Sequence, residues 1–173
     1  CLYLQAGGKH VDAAPGGPIE KLVREGAEVL AVDLRGFGET AMDFWRYGGA
    51  RDLLGDNGAE FYVAYMLGRS FAGMRAEDTL IAAKMLATLH GGAVRPIELI
   101  AFEAAAIPAL HAAALEPRLF SSVRLVRSIA SWERGVIAAS VTQRQLEGVV
   151  HGALRVYDLP DLAALAGHAS FTD

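Results

Sequence analysis

The apolar positions of the chain fall into two alternating patterns, short continuous runs and longer stretches at helical spacing. The clearest run is 28–34 (EVLAVDL), and such runs are typical of parallel strands that are covered on both faces. Further strands are predicted at 1–5, 97–102 and 123–129. Because helices are predicted between the strands, the order indicates an α/β fold with a mainly parallel sheet of about four strands and helices on both faces.

The strongest helical pattern covers 73–89, where apolar residues recur along one side. A second helix is predicted over 18–25, because Pro18 suits a first helical turn and Gly26 suits a helix end. Weaker helical patterns are present in 60–67, 143–154 and 157–167. The glycine-punctuated stretch 41–60 predicts no regular structure over most of its length.

The composition narrows the classes of partner. Apolar residues make up 53% of the 173 residues and there are 19 glycines, which is typical of a globular domain. A net charge of −4 and the lack of a long basic run argue against nucleic acid as a partner. Since no apolar run approaches the roughly 18 residues of a membrane-spanning helix, the sequence also argues against a membrane partner.

Metal and cofactor sites are not predicted. The only cysteine is Cys1, which cannot form an internal disulfide or a cysteine metal cluster and gives no indication of the compartment. The histidines have no metal-binding spacing, and they are His10, His90, His111, His151 and His168. A dinucleotide cofactor is not expected, since Gly7 and Gly8 are followed by a Pro-containing loop instead of a helix.

Three segments carry a resemblance to a known family. They are QAGGKH at 5–10, VLAVDLRGFGET at 29–40 and LIAFEAAAIPALHAAALEP at 99–117, and GRSFAGMRAEDTLIAAKML at 68–86 supports them. In this order and spacing they resemble the α/β-hydrolase fold, most closely its acetyl-xylan-esterase-like and dienelactone-hydrolase-like members. The resemblance implies a parent family that hydrolyses carboxylic esters, with a small ester or an acylated carbohydrate as the ligand.

The resemblance covers nearly the whole chain but only the middle of the family's domain. We therefore expect 1–173 to be a single domain that is truncated at both ends. The family's last two strands, which carry the acid and the histidine of the triad, are expected beyond Asp173. If those strands are missing, the sheet edge beside 123–129 is open, and an open edge favours homo-oligomers.

The turn after the strand at 97–102 matches the family's nucleophile elbow, G-x-S-x-G, as Ala101-Phe102-Glu103-Ala104-Ala105. Such an elbow is a strained strand-to-helix turn, with small residues on either side of the nucleophile. The resemblance places Glu103 at the nucleophile position, or Ala104 if the alignment shifts by one residue. It also implies that the oxyanion hole is formed by the backbone N–H groups of Gly7 and Ala104.

Two interpretations of Glu103 remain open. Some members of the fold, haloalkane dehalogenases and epoxide hydrolases, use a carboxylate nucleophile, whose ester intermediate is then hydrolysed with help from a histidine. The interpretation we favour is a degenerate elbow in which the carboxylate is merely exposed near a helix N-terminus and the turn has relaxed. Pairing of Glu103 with His151 or His168 is not expected, because both lie in segments that precede the family's missing strands.

The remaining candidates have structural explanations. Ser70 lies ahead of the helix at 73–89 and is predicted to cap it. Asp33 and Arg35 are predicted to lock, as a pair, the glycine loop that follows the second strand. His111 is predicted to lie on the helix behind the elbow, either packed or at the surface. Two functions therefore remain: the core of an ester hydrolase without a complete triad, or a non-catalytic domain that uses the old pocket for binding or assembly.

Overall fold

The computed structural model describes residues 1–41, 58–89, 95–137 and 147–173. It has an α/β fold built on one all-parallel sheet. The strands are β1 (Leu2–Gln5), β2 (Leu30–Val32), β3 (Ile97–Phe102), β4 (Phe120–Val126) and β5 (Ala169–Thr172). The helices are α1 (Pro18–Arg24), α2 (Gly58–Met66), α3 (Phe71–Thr88), α4 (Ala106–Leu115) and α5 (Leu159–Ala166).

The strand order is β2-β1-β3-β4-β5. The chain passes from β1 outward to β2 and then returns across β1 to β3, so the direction of winding reverses between β1 and β3. The register pairs Leu4 with Ala101, and Ala101 with Leu125. In open α/β sheets, ligands bind outside the carboxyl ends of the strands at such a reversal.

The main core lies between one face of the sheet and helices α3, α4 and α5. Alternate strand residues point into it, among them Leu4, Leu99 and Leu125, which are fully buried. Helix α4 is buried along nearly its whole length, and its alanines at 109, 112 and 113 are at most 1% exposed. Such small side chains allow the helix to lie close to the sheet and to its neighbours α3 and α5.

The opposite face of the sheet carries Tyr3 and Gln5, which both donate hydrogen bonds to Asp12 Oδ2, at 2.8 and 2.6 Å. The loop before α1 is thereby held against β1. The connection from β1 to β2 leads across the sheet in the direction opposite to that of the later connections. Because such connections are right-handed, α1 lies on the face that carries Tyr3 and Gln5. Farther along the same face Glu98 and Arg124 form an exposed ion pair.

The α/β class and the parallel sheet are confirmed, but three details of the prediction are wrong. The run at 28–34 forms only the short edge strand β2, whose residues are half-buried because an edge strand lacks one neighbour. The stretch 143–154 is not a helix from residue 147 onward, where it forms turns. The sheet has five strands, and β5 pairs with β4, so the edge expected to be open beside 123–129 is covered.

Some of the predictions fall outside the described residues. They concern most of the irregular stretch 41–60, the helix end at 91–92 and the histidine His90. Within the described ranges, no helix combines the length and apolar character that crossing a bilayer requires.

Candidate functional site

The candidate site is the carboxyl edge of the sheet where the winding reverses. The loop Gly7–Gly8 follows β1 there, and Glu103 follows β3. Gln5 and Phe102 are paired in the register of β1 and β3, so Gly7 and Ala104 each lie two residues beyond the same pair. The structure thus brings all three residues predicted from the elbow resemblance to one edge.

The turn after β3 is strained, as the resemblance to a nucleophile elbow implies. Glu103 has φ +54°, a conformation that non-glycine residues rarely adopt and that costs on the order of 1–3 kcal/mol. Ala101 and Ala105 beside it are fully buried, so larger side chains would collide with the core. The expectation that the turn had relaxed is wrong, and the strained residue is Glu103 and not Ala104.

A second strained residue lies beside the first. Arg127 follows β4 with φ +51°, and its backbone N–H donates to Thr172 O at 2.8 Å. Its guanidinium contacts Glu103 Oε1 through Nε at 3.1 Å and through Nη2 at 3.0 Å. Glu103 and Arg127 are the two non-glycine residues with positive φ in the described part of the chain, and they form one half-exposed ion pair.

The histidines that the structure describes do not contact Glu103. His111 is buried behind the elbow, where its Nδ1 lies 2.8 Å from Ile107 O and its Nε2 lies 3.1 Å from Tyr157 Oη. Burial lowers the pKa of His111, partly offset by the hydrogen bond to Ile107 O. His151 packs against the ring of Tyr65, with centroids 5.2 Å apart. Of the two positions predicted for His111, packed or at the surface, the structure shows the packed one.

The loop after β1 is constrained by a close approach of two backbones. Gly8 has φ +96°, and a Cβ added to it would lie 2.7 Å from the Cα of Gly38. The N–H of Gly7 has only a long contact, 3.4 Å, with Gln5 Oε1, and the residue is exposed. Because this hydrogen bond is long, the N–H of Gly7 is a weakly bound donor at the carboxyl edge, where an oxyanion hole would need one.

Asp33 fastens the two loops together. Its carboxylate accepts the backbone N–H groups of Lys9 at 2.6 Å and Glu39 at 3.0 Å. Burial alone would raise the pKa of Asp33, but these hydrogen bonds and the charge of Lys9 outweigh it and lower the pKa. Arg35 pairs instead with Asp78, so the two residues lock the loop through different partners and not with each other.

A buried arginine beneath these loops was not predicted. Arg75, on α3, is 1% exposed and lies between the rings of Phe37 and Phe71, with its Cζ 3.7 and 4.3 Å from their centroids. Its Nε donates to Arg35 O and its Nη1 to Glu147 Oε2, both at 2.9 Å. Burial lowers the pKa of Arg75, while the charge of Glu147 opposes that shift.

The periodicity of α3 contained the signal for this arginine. Position 75 shares the inward side of the helix with the buried residues Ala72, Ala76 and Thr79. A charged side chain on that side must find a buried partner. Within the described ranges, the Nη2 of Arg75 and both carboxylate oxygens of the neighbouring Glu60 are buried without a hydrogen-bond partner.

The carboxylate of Asp158 binds the segment that follows β4 and the start of α5. It accepts Ser131 Oγ at 2.5 Å, the Trp132 N–H at 2.8 Å and the Leu159 N–H at 2.7 Å. Burial would raise the pKa of Asp158, but these hydrogen bonds dominate and lower it. The side chain thereby caps α5 and ties the segment after β4 to the start of that helix.

Ser70 caps α3 as predicted, since its Oγ accepts the Gly73 N–H at 3.1 Å. In the part of the chain that the structure describes, no three metal-ligating side chains lie together as a metal site would require. No family model, curated protein or solved structure matches the chain.

Proposed function

We propose that this chain is an α/β-hydrolase-type domain, of carboxylic ester hydrolase descent, that binds an ester or acylated carbohydrate without forming a covalent intermediate. The resemblance at 5–10, 29–40 and 99–117 supports the descent. The strained turn at Glu103, with buried alanines beside it, supports a former nucleophile elbow. The reversal of winding between β1 and β3 supports a ligand site at the same edge.

The ion pair of Glu103 with Arg127 is the observation that carries the proposal. If the Glu103 carboxylate attacked a substrate carbon, it would lose its negative charge and leave the guanidinium of Arg127 without its partner. The covalent intermediate would then need a base to activate water, and none of the histidines that the structure describes contacts Glu103. The pair is better suited to hydrogen bonding with a ligand, because half of each side chain faces solvent.

Ligand binding is the direct test. The thermal unfolding midpoint of the purified chain is measured with and without a peracetylated xyloside. We expect the ligand to raise Tm in the wild-type chain, and we expect Glu103→Ala and Arg127→Gln to remove that rise. The matched control is Arg124→Gln, which breaks the exposed Glu98–Arg124 pair on the face of the sheet that carries Tyr3. This variant should leave the rise in Tm unchanged. An equal rise in all four proteins would refute a ligand site at the elbow.

A second candidate is a hydrolase with a carboxylate nucleophile. The retained strain favours it, because strained residues persist where the surrounding structure enforces them and cluster at active sites. In this mechanism a Glu103 oxygen attacks an electrophilic carbon, the leaving group departs, and water cleaves the new ester. It predicts turnover that Glu103→Gln abolishes and that Ser70→Ala preserves, since Ser70 only caps α3.

A further inference from the structure

A pocket separate from the elbow lies between the segment after β4 and the approach to α5. Its volume is about 280 Å³, and its walls are formed by Trp132, Val149, Val150, Ala153, Leu154 and Arg155. Except for the Arg155 guanidinium and the Trp132 indole N–H, the side chains of these walls are hydrocarbon. The pocket is therefore an apolar cavity of the kind that holds the body of a small ligand.

The deep wall of this pocket is held in place by the surrounding structure. Trp132 is 4% exposed, its backbone N–H is bound by Asp158, and its ring packs against those of His111 and Tyr157 at centroid distances of 5.8 Å. The N–H of Tyr157 donates in turn to Ala153 O at 2.8 Å. Because the wall is fixed before any ligand arrives, binding would need little ordering of the protein.

Two groups of the pocket lack partners among the residues that the structure describes. The indole Nε1 of Trp132 is buried and has no hydrogen-bond acceptor within these residues. Arg155 is exposed, and among the described residues no carboxylate forms an ion pair with it. An apolar cavity with an unpaired cation on its wall is complementary to a molecule that has an apolar body and one negative charge.

We infer that this pocket binds a small monocarboxylate, with its apolar chain against Trp132 and Val150 and its carboxylate on Arg155. The volume corresponds to roughly nine water molecules at about 30 Å³ each, which matches a chain of about six to eight carbons. This inference does not depend on the elbow, because none of the lining residues belongs to the Glu103–Arg127 site.

The dependence of affinity on chain length is the first expected result. Each methylene group buried contributes about 0.8 kcal/mol, so Kd should fall by up to about fourfold per added carbon. The fall should continue from butanoate through hexanoate to octanoate and stop at decanoate, whose last carbons exceed the pocket. A plateau at this length distinguishes a pocket of fixed size from adsorption to exposed apolar surface.

The experiment is an NMR titration of the uniformly ¹⁵N-labelled full chain with these carboxylates. The readout is the indole N–H resonance of Trp132, which is assigned by its loss in Trp132→Phe. Octanoate should shift it saturably, and Arg155→Gln should weaken octanoate binding about tenfold or more. The uncharged analogue octanol should bind wild type and Arg155→Gln equally, because only the carboxylate uses the guanidinium.

Three controls keep the outcome decisive. Arg118→Gln removes an exposed arginine from the turn before β4, at the opposite edge of the sheet, and should leave octanoate affinity unchanged. Glu103→Ala should also leave it unchanged, so failure of this inference and failure of the elbow proposal are distinguishable. Val150→Phe fills the cavity and should abolish binding of both octanoate and octanol.

The inference is overturned if octanoate leaves the Trp132 resonance unshifted at millimolar concentration. It is equally overturned if Arg155→Gln binds octanoate as tightly as wild type does. If Val150→Phe fails to fold, the comparison of Arg155→Gln with Arg118→Gln decides the question, since both replaced side chains are exposed.

Discussion

Breaking the buried ion pair between Arg75 and Glu147 should destabilise this fold far more than breaking an exposed pair. The side chains of Arg75 and Glu147 are 1% and 7% exposed, and Nη1 lies 2.9 Å from Oε2. Glu147→Gln preserves the shape of the side chain but leaves the guanidinium buried without its counter-charge. Removing one partner of such a pair costs about 3–5 kcal/mol.

The double variant gives the sharper test. Arg75→Met keeps an apolar side chain between Phe37 and Phe71, and Arg75→Met with Glu147→Gln removes both charges of the pair. The double variant should therefore lose less stability than the sum of the two single variants, by a coupling energy of about 2–3 kcal/mol. For a chain of this size, the loss in Glu147→Gln corresponds to a Tm decrease of roughly 6–15 °C.

Urea unfolding of the four proteins at neutral pH measures this coupling from the midpoints at constant m. The matched control is Glu116→Gln, which breaks an exposed ion pair with Lys84. The side chain of Lys84 is 57% exposed and that of Glu116 is 48% exposed. The cost of this substitution should stay below about 1 kcal/mol. If the effects of Arg75→Met and Glu147→Gln add within about 0.5 kcal/mol, Arg75 and Glu147 do not stabilise each other, and the reasoning from the buried ion pair is refuted.

Three further predictions concern pH and backbone geometry. Burial depresses the pKa of His111 below 6.5, so on acidification the unfolded chain takes up the proton first. The free energy of unfolding should therefore fall as the pH drops below about 6.5, until the folded pKa is passed. Urea midpoints measured along this range should fall less in His111→Gln than in the wild-type chain. The pKa of Asp158 is lowered, so the ionised side chain stabilises the fold above its unfolded pKa of 3.8, and this stability is lost as the pH falls through the folded pKa. Asp158→Ala should therefore cost about 1–2 kcal/mol of unfolding free energy at neutral pH. The difference between the two proteins should disappear in acid, and a difference that persists there would contradict this role of the carboxylate. Gly38→Ala should lower Tm more than Gly26→Ala does, because a Cβ at Gly38 would lie 2.2 Å from Asp33 Oδ2, whereas the space at Gly26 is open; equal losses would show that positive φ alone sets the cost.

The strand–turn–helix around Glu103 could be predicted because its signals are local. The apolar run of β3, the flanking alanines and the start of α4 lie within a few consecutive residues, and the structure places β3 at Ile97–Phe102 as predicted. The same holds for the cap of α3, because Ser70 directly precedes the helix that it caps. Signals of this kind depend on neighbours in the chain and are visible without the fold.

Features that depend on the packing of distant segments were missed. Glu103 meets Arg127 only because the register of β3 and β4 pairs Phe102 with Val126, which fixes the residues that follow as neighbours. The strand β5 is four residues long with alternate exposure, too short for a periodicity signal. The periodicity of α3 places Arg75 on the inward side of the helix, but its ion-pair partner could not be predicted, because Glu147 is 72 residues away.

The rate of p-nitrophenyl acetate hydrolysis by the wild-type chain, measured beside Glu103→Ala, tests the central claim most directly. Circular dichroism confirms that both proteins are folded before the comparison. Because Arg127 holds the Glu103 carboxylate in an ion pair, we predict that neither protein hydrolyses the ester faster than the buffer blank. A wild-type rate above the blank that disappears in Glu103→Ala would contradict the account and show that the elbow still provides a nucleophile.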